Sequence, residues 1–297
     1  MQGVYSQKDF LEARNNSLDI VIHNKYQFEI VKDNDSFDNL WFKINTGMNR
    51  LGFEEDEFLD IYNNFLLDKE FTLMSHLSAS NVPDDPANKN QFARFDNLSN
   101  KLHSNVLKSI ANTGCIMNFP EKSYDWVRAG IGIFGGYIGS EELKTTMTLR
   151  SQIINIRDIK KGERVGYDGR GEAKAKMKIA TVYIGYADGL PNHIKDGTLI
   201  KINNHDAKVF GKVNMDVTTV DVTNIPDCNV GDWCEFFSPK DSITNLATSN
   251  SLLSYDLMIR IKSRVKRIPT YVATPLPPLN FNQTGNTCPM KADKAEM

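Results

Sequence analysis

Residues 126–137 read WVRAGIGIFGGY, and the character of the chain changes across them. Arg128 stands on a short apolar run broken by Gly130, Gly132, Gly135 and Gly136. Glycines at that density let the backbone turn tightly or approach a ligand closely. The stretch therefore suits a strand end facing a pocket, although a buried strand with a salt-bridged arginine would look the same in isolation. Before it, strand-like and helical segments alternate; after it, the apolar pattern takes the period of strands. A domain junction is expected just beyond it.

Working towards the N-terminus, LDIVIHN (18–24), LWFKINTG (40–47) and the start of FTLMSHLSAS (71–80) read as strands, and FEEDEFLDIYNNFLL (53–67) has helical spacing. Phe92, Phe95, Leu98, Leu102, Val106 and Ile110 recur at intervals of three and four, which predicts one amphipathic helix from Gln91 to Ile110. Strands alternating with helices imply a parallel sheet, doubly wound or closed into a barrel. In a barrel, ligand groups gather where strands run into loops. Towards the C-terminus, TLRSQIINIRDI, KMKIATVYIGYADG, TLIKINNHDAKVFGKV and MDVTTVDVTN alternate, separated by polar turns such as NNHD and IPDCNVGD. They predict an antiparallel β domain. A short helix is expected over 252–261, SRVKRIPTYV should close the folded part, and the Pro-, Asn- and Lys-rich residues 273–297 read as a disordered tail.

Length and composition agree with two domains: 297 residues, 40% hydrophobic and 24% charged. A formal net charge of −2, with cations spread along the chain, leaves no footprint for nucleic acid or an anionic membrane and favours a small-molecule partner. Cys115, Cys228, Cys234 and Cys288 form neither a CxxC pair nor a metal-ligand spacing, so free thiols of a reducing compartment and no metal site are expected. The opening MQGVYSQKDFLEARNN is too polar for a signal peptide, which points to the cytoplasm.

Several short stretches could carry chemistry. KINTGMNRLG (43–52) sets Lys43 and Arg50 at a strand end, where two cations could grip a carboxylate or simply face solvent. MSHLSASN (74–81) places His76 at the end of an apolar strand. ANTG (111–114), read as following a helix, offers Asn112 and Thr113 to a phosphate, or is a plain turn. Tyr167 in GYDG and Tyr186 in GYADG sit in similar glycine-flanked contexts, and KVNMDV and SYDL add Lys212, Met215, Asp216 and Tyr255.

In order and spacing, KINTGMNRLGF, MSHLSASN, ANTG, WVRAGIGIFGG, GERVGYDG, IGYADGLP, GKVNMD and SRVKRI resemble the alanine racemase family over about residues 1–270. The resemblance implies a pyridoxal phosphate enzyme interconverting L- and D-alanine for peptidoglycan. It would be built as a TIM-type (β/α) barrel and a β domain, and paired head-to-tail as a homodimer with shared active sites. It implies that Arg128 faces the cofactor's pyridine nitrogen and His76 lies beside the ring. Asn112, Thr113, Gly130, Ile131 and Tyr255 would hold the phosphate. Tyr167, reaching in from the partner subunit, would move the Cα proton on the L-alanine face. Arg50 and the Met215 N–H would bind the substrate carboxylate, with Lys43 orienting Arg50, and Tyr186 and Lys212 would flank the entry.

The chain departs from the family in places. No stretch resembles VVKANAYGHG, the family's setting for the cofactor-binding lysine, which is the proton carrier on the D-alanine face. Residues 1–7 resemble a point part-way round the barrel, so an incomplete parallel barrel over 1–140 is expected, with the β domain over 141–272. Asn45 stands where the family usually has aspartate, and Asn214 where it often has cysteine. The alternative reading is a catalytically dead remnant that dimerises or binds a ligand. The related decarboxylases lack support, because no cysteine sits in a tryptophan-cysteine-glycine setting near the C-terminus.

Overall fold

The computed structural model describes residues 3–32 and 40–269. Its first half alternates α1 (Gln7–Asn15), β1 (Ile20–Ile22), α2 (Lys25–Val31), β2 (Leu40–Lys43), α3 (Glu55–Ile61), β3 (Phe71–Met74), α4 (Pro86–Ser99), β4 (Leu107–Ser109), α5 (Thr113–Asn118) and α6 (Gly130–Ile133). The four strands form one parallel sheet in sequence order, open at β1 and β4 among the described residues.

Period two along β2 decides which face is which. Phe42 is fully buried among Phe53, Phe58 and Phe71, with ring centroids 6.3, 5.9 and 5.6 Å away. Burying each such ring contributes about 1.5–3 kcal/mol. Lys43 and Trp41 must then point to the opposite face. Lys43 is in register with Met74 on β3, and Met74 with Ser109 on β4, so the C-terminal ends of three strands lie side by side.

Three sequence expectations are corrected here. The helix expected over Gln91 to Ile110 is instead α4, begun by the Asp85 cap and Pro86 at the first turn and finished by Ser99. Val106 and Ile110 flank β4, so their apparent helical spacing belongs to a different element. ANTG consequently follows a strand, not a helix. The run around Arg128 is extended only up to an isolated bridge between Arg128 and Asn112; Gly130–Ile133 then coils into α6.

The second half contains β5 (Leu149–Ile159), β6 (Arg164–Val165), β7 (Gly171–Glu172), β8 (Met177–Val182), β9 (Leu199–Ile202), β10 (His205–Val209), β11 (Thr218–Asp221), β12 (Trp233–Phe237), α7 (Ile243–Ser249) and α8 (Ser254–Arg260). Six strands close into an antiparallel barrel in the order β10-β11-β8-β5-β12-β9, and β6 and β7 form a separate small hairpin. Asn203 and Asn204, at φ 50° and 65°, make the tight turn between β9 and β10. Residues up to Lys262 form one compact unit; residues 263–269 carry no helix or strand. The tail expected over 273–297 lies outside the described residues. No described helix is long and apolar enough to cross a membrane, and no described group of His, Cys, Asp or Glu could hold a metal.

Candidate functional site

At these C-terminal strand ends the structure gathers cations, with no carboxylate paired to them among the described residues. Lys43 is 3% exposed, and its pKa is lowered by burial and then by Arg50 and Arg128. His76, two residues beyond Met74, is pulled down to about 4 by burial and by Arg128, Lys43 and Arg50. Arg128 donates to Ser109 Oγ at 2.5 Å, to the carbonyls of Ser75 at 2.7 Å and Ile110 at 3.3 Å, and meets His76 Nδ1 at 3.2 Å. Burial lowers Arg128 to about 10, so it remains charged at neutral pH. Among the described residues no carboxylate pairs with Lys43, Arg50 or Arg128. Surplus positive charge held this close favours an anionic ligand.

His76 is therefore neutral at pH 7. Its folded pKa lies below the ordinary value near 6.5, so the unfolded chain takes up the proton first as pH falls. Stability should rise with pH between about 4 and 6.5 through this residue. An NMR titration placing the His76 ring above pH 6 would overturn this.

A second cluster lies beside it. Asn112 caps α5, its Oδ1 accepting from Cys115 N at 3.0 Å and from Ser80 Oγ at 2.7 Å, so its side chain shapes the turn. Thr113 Oγ1 accepts from Gly132 N at 3.2 Å, which places α5 against α6. The first N–H groups of α6, those of Gly130 and Ile131, precede the helix's own hydrogen bonds. A Cβ on Gly130 would stand 2.6 Å from Tyr255 Oη, so α8 delivers that hydroxyl to the same point. Ser254, 4% exposed, buries its Oγ without a partner next to Tyr255.

The remaining predicted residues meet at one end of the β-barrel. Tyr186 N donates to Asn214 O at 3.0 Å and Ala187 N to Met215 O at 2.9 Å. Gly185 allows this approach, since a Cβ there would fall 2.3 Å from both carbonyl oxygens. Tyr167 is 70% exposed on the turn after β6, where the neighbouring Asp168 pairs with Lys212. Lys212 is thus tied to the Tyr167 turn. None of the contacts among the described residues joins Tyr167 to the Arg128 cluster within this chain.

Sequence reading missed the polar layer beneath the cations. Gln91, 1% exposed, donates to Thr46 Oγ1 at 3.1 Å and His76 O at 3.0 Å and accepts from Ser78 N and Oγ, both at 2.9 Å. Thr46 Oγ1 lies 2.7 Å from Ser75 Oγ, which donates to Ile44 O at 2.9 Å. A signal was present: Gln91 sits on the same stripe of α4 as Phe92, Phe95 and Leu98, a polar residue on a buried face.

Fold and site define a class: a parallel α/β half carrying a cluster of cations at its strand ends, followed by an antiparallel β-barrel. The family profile described as "Alanine racemase, N-terminal domain" matches residues 1–138, and that described as "Alanine racemase, C-terminal domain" matches 146–269. The alanine racemase of Vesicomyosocius okutanii is 33% identical over 91% of this chain and 78% of its own length. That of Alteromonas mediterranea is 31% identical over 92% and 78%. The biosynthetic alanine racemase structure from Pseudomonas aeruginosa superposes with a TM-score of 0.85 at 28% identity, covering 91% and 78% of the two chains. The chain belongs to the alanine racemase family, a family of isomerases.

Proposed function

We propose that this protein interconverts L- and D-alanine with pyridoxal 5'-phosphate, in the cytoplasm, as a homodimer that supplies D-alanine for peptidoglycan. The observation that carries this reading is the anion-free convergence of Lys43, Arg50, His76 and Arg128. Pyridoxal phosphate fits the neighbouring residues on chemical grounds. Thr113, Tyr255 and the N–H groups of Gly130 and Ile131 offer donors to a phosphate in a space that the Cβ of any residue but glycine at 130 would fill. A related structure from Bartonella henselae, 24% identical, is described with covalently bound pyridoxal phosphate.

When bound, the cofactor withdraws electrons and acidifies the Cα hydrogen of the amino acid. The residues of this chain have three tasks around it. Arg128, fixed by four contacts and charged at neutral pH, would present a cation to the cofactor's ring and so favour an unprotonated ring nitrogen. Arg50 and the Met215 N–H hold the alanine carboxylate. The Tyr167 hydroxyl removes or returns the Cα proton on the L-alanine face, in the site of the partner subunit. A phenol needs help from such cations to act near neutrality. Two-base racemisation needs a second carrier, a role the family gives to a lysine with no counterpart among these 297 residues.

Exposed Tyr167, Tyr183, Tyr186 and Met215 at one end of the barrel support a partner there. We place the division of the chain at residue 140, with 1–140 binding the cofactor and 141–272 presenting Tyr167. The test is exchange of the alanine Cα proton in heavy water by the chain supplied with pyridoxal phosphate. Cofactor-dependent exchange is expected, and exchange no faster than with pyridoxal phosphate alone would sink the proposal.

A further inference from the structure

The loop carrying Arg50 is closed by a pair of side chains that suit each other. Backbone bonds set its base: Phe53 N donates to Lys43 O and Asn45 N to Phe53 O, each at 2.9 Å. Gly52, at φ +126°, folds back so tightly that a Cβ would sit 2.6 Å from Asn45 N. Inside this base Asn45 uses both ends of its amide. Its Oδ1 accepts from Gly47 N at 3.1 Å and Asn49 N at 3.0 Å. Its Nδ2 donates to Asn49 Oδ1 at 3.0 Å and Glu54 Oε1 at 2.8 Å. Glu54 in turn forms a capping box with Glu57 at the start of α3. Asn49 is thereby held at φ 54°, one residue before Arg50.

An aspartate at 45 could accept from the two amides but would set a second carboxylate against Glu54. The amide at 45 and the acid at 54 are therefore a matched set. We propose that Asn45 is a positioning residue for Arg50 and acts jointly with Glu54, so that the Asn45–Glu54 contact holds the loop in its carboxylate-gripping form. The functional half rests on Arg50 as the carboxylate contact; the loop-ordering half does not.

Three variants separate these, N45D, E54Q and N45D/E54Q. N45D should speed amide exchange at Gly47 and Asn49 about tenfold, the scale of losing a hydrogen bond to a charged group. E54Q, which keeps an acceptor for Nδ2, should speed it about twofold. In the double variant the new amide at 54 can donate to the new carboxylate at 45, so exchange should return to within about threefold of the parent. A lesion that merely destabilised the chain would not be rescued by a second substitution. Unchanged exchange in N45D, or a double variant no better than N45D, would overturn the proposal. Alanine affinity, measured calorimetrically on the cofactor-loaded protein, should follow the same order. Restored exchange with alanine affinity equal in all variants would overturn the assignment of Arg50 to the carboxylate and leave the loop-ordering role standing.

Discussion

Tyr167→Phe is expected to lower cofactor-dependent exchange of the L-alanine Cα proton at least about a hundredfold, the lower scale for removing a positioned acid or base. The ring, 70% exposed on its turn, has little packing to lose, so melting temperature and cofactor uptake should stay at parental values. The turn itself does not depend on the hydroxyl. Asp168 adopts φ 57° and pairs with Lys212, while Arg164 donates to the carbonyls of Asp168 at 2.7 Å and Gly169 at 3.0 Å. Arg170 anchors the far side, donating to Gly211 O at 2.6 Å and Ile194 O at 2.8 Å. A turn held by these contacts, presenting outward a phenol with no partner among the described residues, suits delivery into a partner's site. Near-parental exchange in Tyr167→Phe would make it a surface residue and move the role to Tyr186, which shares that end of the barrel.

Much of this was legible in the sequence where local pattern and tertiary use coincide. Alternation in strands such as β9 and β11 is imposed by a barrel with a dry interior and a wet exterior, so the strands are readable; closure is not, because period two is the same in an open sheet. The blocks around Lys43 and His76 are readable because both lie where a strand ends, whereas Arg128 sits in an isolated bridge just before α6. Misreading arose where two elements shared one spacing by accident. Val106 and Ile110 continue the helical intervals of α4 although the chain has already turned into β4. The glycines after Arg128, which suit a strand end, instead serve a helix start, since glycine permits both equally. Gln91 and Asn45 were overlooked as site residues because periodicity counts apolar positions and gives no weight to a polar side chain satisfied inside.

Gln91→Leu should show how much rests on that polar layer. Leucine nearly conserves volume and suits a helix, so neither cavity nor propensity would account for a loss. What disappears is the partner of four polar groups: the Ser78 N–H, the Ser78 and Thr46 hydroxyls and the His76 carbonyl. Ser78 is exposed, so water can serve its N–H and hydroxyl, and the Thr46 hydroxyl can still turn to Ser75. That leaves the His76 carbonyl, and an unsatisfied buried group costs about 1–3 kcal/mol. Against a domain stability of about 5–15 kcal/mol this is a sizeable fraction, and the melting temperature should drop by about 5 °C. The damage should also be directed. Gln91 bridges the loop after β2, through Thr46, to the loop after β3, through His76 and Ser78, so releasing it loosens Arg50 and His76 against each other. Phe95→Leu, on the same helix face but in the apolar core, provides the comparison, lowering stability by cavity formation without freeing either loop. Alanine affinity should fall about tenfold or more in Gln91→Leu and stay within about twofold in Phe95→Leu, measured well below both melting transitions. A Gln91→Leu protein that melts within about 2 °C of the parent would mean that the buried groups find other partners, and that the network does not hold the two strand ends together.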